Sequence, residues 1–330
     1  RIRPPGRDTI LEEGGTVTIA ASRRRAPQDR RGVPARRGSL ARTEGRQALG
    51  FASPALIGLA VFTVVPVVLS IVMSFYNWPT FGDKTFNGVG NYIKLFTSSP
   101  DFWPAMRNTA VFTVVYVPLS IVCSLILAMS LGPRIRGRGA LRVLFFIPVV
   151  TPMVASVLVW KMMLQPQGLF NGIAQGWFGI KLPNFLADPF WAMAMVIIMS
   201  VWQGLGYNML IFSAALEQLP ESVIEAARID GASGFRMQWS VVVPMISPSI
   251  FFATIMTMIT SLQVFAQPQL LTGGGPGNAT QPLVQFIYNQ GFKFQDLGIA
   301  AAGAWILFAL IIIITGLQFA AQKKWVHYEH

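Results

Sequence analysis

One cysteine and two histidines are all that this chain offers to redox or soft-metal chemistry. Cys123 stands alone, so no disulfide can close within the chain and no cysteine-based metal site can form. His327 and His330 lie at the extreme C-terminus, too late to anchor a catalytic centre. Charge is scarce as well: Asp, Glu, Lys and Arg make up 12% of the 330 residues, against 53% hydrophobic ones. A soluble domain of that balance would lack the polar surface to cover itself. No Gly-x-x-x-x-Gly-Lys-Ser/Thr loop is present, so the Lys and hydroxyl that hold nucleotide phosphates and magnesium are missing. Within the apolar blocks there is no His, no pair of acids and only the single Cys123, which argues against a membrane-embedded enzyme. The first apolar block is too long and lies too far from the start to be a secretory signal.

What is present is length of apolar sequence. The mean hydropathy is +0.51, and the apolar residues gather in blocks. Crossing hydrocarbon takes about 20 residues. Six blocks reach that length: 51–76, 106–131, 141–164, 187–214, 245–266 and 297–320. Lys161, Gln203 and Asn208 interrupt the third and fourth. Pro66, Pro118, Pro148 and Pro152 fall inside blocks, where neighbouring helices can satisfy the carbonyls that a proline frees. Trp78, Trp103, Trp160, Trp177, Trp191 and Trp325 stand near block ends, the usual place of interfacial aromatics. The expected fold class is all-α: a polytopic membrane protein of six transmembrane helices.

The formal net charge is +12, and its distribution matters more than its sum. Twelve of the 26 Lys and Arg residues precede residue 50. That segment, 1–49, carries Pro, Gly and few large apolar residues, so it reads as a basic, disordered tail. Such a tail is attracted weakly to anionic headgroups and gives no reason to invoke nucleic acid. Arg134, Arg136, Arg138 and Arg142 follow the second block, Arg228 and Arg236 the fourth, and Lys323 and Lys324 the sixth. The alternate connections are sparse in positive charge: Lys84, Lys94 and Arg107, then Lys181, then Lys293. By the positive-inside rule both termini and segment 217–243 are cytoplasmic.

Segment 217–243 is the odd one out, a polar, helix-prone stretch held between two apolar blocks. Pro220 suits a helix start and Glu221 its dipole. Val223, Ile224 and Ala227 share one face, while Glu225 and Arg228 are spaced to pair. Gly231 is a natural stop, and Ser233 suits the start of a second short helix carrying Phe235 and Trp239. An ordinary amphipathic loop helix has the same periodicity.

Glu225-Ala226-Ala227, then Gly231, then Val241, Val243 and Pro244 resemble the Glu-Ala-Ala…Gly…Ile-x-Leu-Pro motif of permease subunits in binding-protein-dependent ABC importers. Val replaces Ile and Leu, a conservative departure. Tyr207-Asn208-Met209-Leu210, Ala214 to Pro220, Asp230-Gly231-Ala232-Ser233 and Leu271 to Pro276 are similar to the carbohydrate-uptake branch, the maltose and glycerol-phosphate type. The resemblance covers roughly residues 50–326 as one transmembrane domain and leaves out 327–330. It implies a non-catalytic subunit of a bacterial inner membrane. Glu225, Ala226, Ala227, Asp230 and Gly231 would dock on an ATP-binding subunit as a cytoplasmic coupling helix between spans 4 and 5. The implied partners are a second permease subunit, two ATP-binding subunits that hold ATP and magnesium, an extracytoplasmic solute-binding protein and a carbohydrate or polyol phosphate. This chain itself would hold no cofactor and no metal.

Polar groups inside spans tend to face a cavity or bond between helices. Gln203, Tyr207, Asn208, Gln263 and Phe265 are the candidates for a substrate path, with Lys161 as a further polar interruption and Trp202, Phe251 and Phe252 as aromatic faces. Lys161, close to a span end, can instead snorkel to the interface. The run Gly273 to Asn278 lacks a following Lys-Ser/Thr and is expected to be a flexible outer turn. An ABC permease for an amino acid, peptide or ion, and an ion or water channel, remain as alternatives.

Overall fold

The computed structural model describes residues 37–132 and 135–322. Arg134, Trp325, Lys323, Lys324 and segment 327–330 lie outside them.

The chain divides at Leu59 into two units. In the first, α1 runs Arg37–Leu59. Helix therefore reaches back into the basic segment expected to be irregular. The stretch from Ala35 to Ser53 contains no proline, and Ala, Leu, Arg, Glu and Gln favour helix enough to carry Gly38 and Gly45.

The second unit opens with a π-helical segment, Ala60–Val64, and α2, Val65–Ser74. Strands β1 (Tyr76–Asn77) and β2 (Thr85–Phe86) pair antiparallel. The helices that follow are α3 (Gly90–Thr97), α4 (Phe102–Ser130), α5 (Arg138–Val150), α6 (Met153–Leu164), α7 (Leu169–Phe178), α8 (Pro189–Glu217), α9 (Glu221–Ile229) and α10 (Gly234–Met237). A second π segment, Gln238–Val242, leads into α11 (Val243–Met245) and α12 (Ser247–Leu262). Then come α13 (Ala266–Leu271), α14 (Leu283–Tyr288), a third π segment (Asn289–Lys293) and α15 (Leu297–Gln322).

Among the described residues, four helical stretches are long and apolar enough to cross a membrane: Gly50–Ser74, Phe102–Ser130, Pro189–Glu217 and Leu297–Gln322. Two further pairs qualify only together, Arg138–Val150 with Met153–Phe178, bent by 95°, and Gly234–Met245 with Ser247–Leu262, bent by 72°. Six spans result if each bent pair is one span. The third and fifth are therefore broken rather than continuous, and proline explains both. Pro152 follows the first break, and Pro244 and Pro248 flank the second. Two π segments have the same origin. A proline ring crowds the carbonyl four residues back, and those of Phe62 and Ser240 lie inside the widened turns ahead of Pro66 and Pro244.

The tightest association is that of α4 with α8. Lipid supplies no hydrophobic drive between helices, so close packing and hydrogen bonds must hold them. Ser124 Oγ donates to the Leu205 carbonyl at 3.0 Å. Asn208 Nδ2 reaches Ser120 Oγ on α4 at 3.3 Å and Thr257 Oγ1 on α12 at 3.1 Å, joining three helices at one buried amide. Replacing Asn208 by alanine leaves both hydroxyls short of a partner. The expected loss is about 0.6–1.7 kcal/mol, seen as a lower thermal midpoint in detergent. An unchanged midpoint would show that the amide does not hold the bundle.

Candidate functional site

The helix at 221–229 is where its pattern puts it. Pro220 is its N-cap, in extended conformation, rather than a first-turn residue. Glu221 lies in the first turn and Arg228 in the last, both matched to the dipole. Gly231 ends the turn at φ +80, with its amide on the Arg228 carbonyl at 3.1 Å. Ser233 precedes α10 but makes no side-chain cap bond. The left-handed Gly234, φ +52, breaks the regular entry that such a cap needs.

The inner face of α9 is apolar. Ala227 is buried with Met237 and Val242, and Ile224, Leu216 and Leu219 pack around them. Glu225, Ala226, Ile229 and Asp230 face outward. Ala227 is thus a packing residue, while Ala226 alone keeps the exposed surface flat. The helical period separates the two adjacent alanines by about 100°. Glu225 and Arg228 form no ion pair; both line a cavity of about 510 Å³ shared with Met129, Ser130 and Gln238. The exposed surface is also more apolar than expected: Ile229 is 86% exposed and Phe235 78%, with Trp239 half-exposed beside Phe235 at 5.7 Å. The i, i+4 spacing of Phe235 and Trp239 was visible, but their exposure was not.

At the far end of α4 the glycine-rich run is a pinned loop. Thr280 Oγ1 donates to the Gly275 carbonyl at 2.7 Å and lies 2.6 Å from Thr272 Oγ1. Asn108 Nδ2, from α4, donates to the carbonyls of Asn278 and Gln281 at 2.7 and 3.0 Å. Asn278 Nδ2 donates to Asp101 at 3.0 Å. The expected flexible turn is therefore corrected. Composition showed glycine freedom, but not the surrounding hydroxyls and amides that hold the loop. Asp101 and Asn108 flank the start of α4, whereas Met129 and Ser130 at its other end meet the α9 helix. The two features lie at opposite ends of the bundle.

The candidate path residues divide. Gln203 Nε2 donates to the carbonyls of Pro148 and Thr151 at 2.8 and 3.3 Å while its Oε1 is buried without a partner, and Asn208 bonds to Ser120 and Thr257, so both side chains are turned into the bundle. Tyr207 is 47% exposed, well inside the span formed by α8. Gln263 is exposed at the end of α12, below an exposed stripe of Phe252, Met256 and Thr260. Phe265 is half-buried, its ring 5.1 Å from Tyr288. Phe251 is buried, Trp202 leans on Trp160 at 5.9 Å, and Lys161 is exposed in the last turn of α6. The structure does not bring the five together in one pocket. Tyr207 and the α12 stripe are the polar and aromatic groups left open, and in hydrocarbon such groups call for water or another polypeptide.

Bent and unbroken spans, with a short exposed helix–turn–helix at one end of the bundle, define a polytopic membrane component. Residues 120–327 match the family described as binding-protein-dependent transport system inner membrane component, and the chain belongs to that family. It is 36% identical over 280 residues to the lactose transport system permease protein LacF of Rhizobium radiobacter, covering 83% of this chain and 93% of that protein. It is 36% identical over 286 residues to the sn-glycerol-3-phosphate transport system permease protein UgpA of Brucella suis, covering 84% and 94%. With the trehalose/maltose transport system permease protein MalF of Thermococcus litoralis it shares 34% over 264 residues, 79% of this chain and 88% of that one. A solved bacterial alginate ABC transporter, in complex with an alginate pentasaccharide-bound periplasmic protein, contains a chain of the same fold. The TM-score is 0.76 at 20% identity, over 86% of this chain and 97% of that one.

Proposed function

We propose that this chain is one of two membrane subunits of an ATP-driven carbohydrate importer, and that α9 is the docking element for an ATP-binding subunit. The observation that carries the reading is the two-sidedness of α9. Its inner face packs through Ile224 and Ala227 on Leu216 and Leu219 at the end of α8 and on Met237 and Val242, and its outer face presents Glu225, Ala226 and Ile229 with Phe235 and Trp239 beside them. A rigid helix fixed to a span passes a neighbour's rotation into the membrane. Arg138, Arg142, Arg228 and Arg236 gather at this end of the bundle, which supports a cytoplasmic α9 and cytoplasmic termini.

A second permease subunit would cover the open face with Tyr207 and the α12 stripe, and the path would run between the two chains. A solute-binding protein would deliver the cargo at the opposite end, and ATP hydrolysis would reside in the partners. The names of the relatives, which transport lactose, glycerol phosphate, trehalose and maltose, favour a sugar or polyol phosphate over an amino acid or ion.

Glu225→Ala is expected to lower ATP-driven uptake by about tenfold or more, with the chain still in the membrane and less ATPase recovered with it. Normal uptake with normal co-purification would remove the docking assignment. A calorimetric screen of the cognate binding protein against lactose, maltose, trehalose and glycerol phosphate tests the cargo. Binding of an amino acid and of none of these would overturn the carbohydrate reading.

A further inference from the structure

Among the described residues α5 packs extensively against one element only, α8. Three ties hold it there. At its start, Arg138 and Arg142 converge on Glu217 Oε1, at 3.4 and 2.8 Å. At its middle, Gly206 lets the α8 backbone lie against the Phe145 carbonyl, where any side chain would collide. At its end, Gln203 Nε2 donates to the carbonyls of Pro148 and Thr151 at 2.8 and 3.3 Å.

The last tie follows from covalent chemistry. In a continuous helix the Pro148 carbonyl would accept from the amide four residues on. That residue is Pro152, which has no N–H. Gln203 supplies the missing donor from the neighbouring helix. Past the break α6 turns away; its backbone runs closest to α13 and α7, and it still meets α8 through side chains such as Trp160 on Trp202. At the other end α8 runs on through Gln218–Pro220 directly into α9.

We propose that α5 and α8 move as one lever with α9 at its tip, that Thr151–Pro152 is the joint through which the lever swings α6, and that Gln203 and Glu217 are positioning residues for that motion. The inference rests on the docking reading above and deepens it. A displacement of α9 reaches α8 by chain continuity. Glu217 makes the start of α5 follow, and Gln203 makes its end follow. Without Gln203, two carbonyls are bare at the joint in apolar surroundings, and α5 re-seats to satisfy them. The movement then dissipates before it reaches α6.

The test uses the complete importer reconstituted in liposomes, with Gln203→Leu and Glu217→Gln tested separately. Co-purification of the ATPase is expected to match that of the unsubstituted chain, because neither residue is on the exposed face of α9. Solute moved per ATP hydrolysed is expected to fall about tenfold. In a Cys123→Ser background, spin labels at Val143 on α5 and Ala214 on α8 report on the lever itself; both positions are exposed. Trapping with ATP and vanadate is expected to change their separation by no more than about 2 Å in the unsubstituted complex and to broaden it in Gln203→Leu. A solute-per-ATP ratio that is unchanged in both variants overturns the proposal, whatever happens to yield. So does a larger shift of the label pair in the unsubstituted complex. If the ATPase fails to co-purify even with the unsubstituted chain, the docking reading itself falls, and this inference with it.

Discussion

Gly206→Val is expected to abolish recovery of correctly folded chain from the membrane. A Cβ at residue 206 meets the Phe145 carbonyl oxygen at less than contact distance, with Phe146 Cα at 2.9 Å and the Phe145 carbonyl carbon at 3.0 Å. All three atoms are backbone, so no rotamer change relieves the clash. Helix α5 must move, and moving it breaks the Glu217 ion pairs and the Gln203 bonds together. Ordinary overpacking costs about 1–3 kcal/mol, and here the lost ties add to it, against a total stability of about 5–15 kcal/mol. The measurement is size-exclusion yield and thermal midpoint in detergent. Gly316→Ala serves as control: a Cβ there meets nothing within 4 Å, so the helix should hold or gain up to about 1 kcal/mol. A Gly206→Val chain that melts with the parent would show that the two helices are not in backbone contact.

Gly231→Pro is expected to eliminate uptake while the chain still inserts. Proline fixes φ near −65°, and Gly231 sits at +80°. Its amide donates to the Arg228 carbonyl at 3.1 Å, and proline removes that donor. The turn joining α9 to α10 must therefore re-form, which re-aims the exposed face of α9 against any partner. A misplacement of about 1 Å can cost a hundredfold in rate. Insertion is spared because Gly231 is exposed and a side chain there has open space around it. Gly231→Ala separates the two causes. It keeps the amide and pays only the left-handed penalty of about 1–2 kcal/mol, so partial uptake is expected. Full transport by Gly231→Pro, with ATPase bound normally, would mean that the orientation of α9 is immaterial.

The helix at 221–229 and its stop at Gly231 were legible because both are local: apolar spacing and a terminator act within one or two turns. The six apolar blocks were legible for the same reason. The path residues were harder. Gln203, Tyr207 and Asn208 lie within six residues of one another and look equivalent as polar interruptions. Their roles divide by the direction in which each side chain leaves α8, toward the α5 break, an open face or the α4–α12 crossing. The glycine-rich run shows the same limit, since Asn108 and Asp101, far upstream, hold it.

Composition and order alone determined that this chain is a bundle of apolar helices, carrying one charged, helix-prone segment between the fourth and fifth blocks. Those properties depend on hydropathy and on near-neighbour periodicity, and both are written along the chain. Only the tertiary structure decided that Ala227 is anchored and Ala226 free, that the third and fifth spans are broken, and that Gln203 closes the gap left by Pro152. Each of those is a contact or hydrogen bond between helices far apart in sequence, and no local rule encodes its geometry.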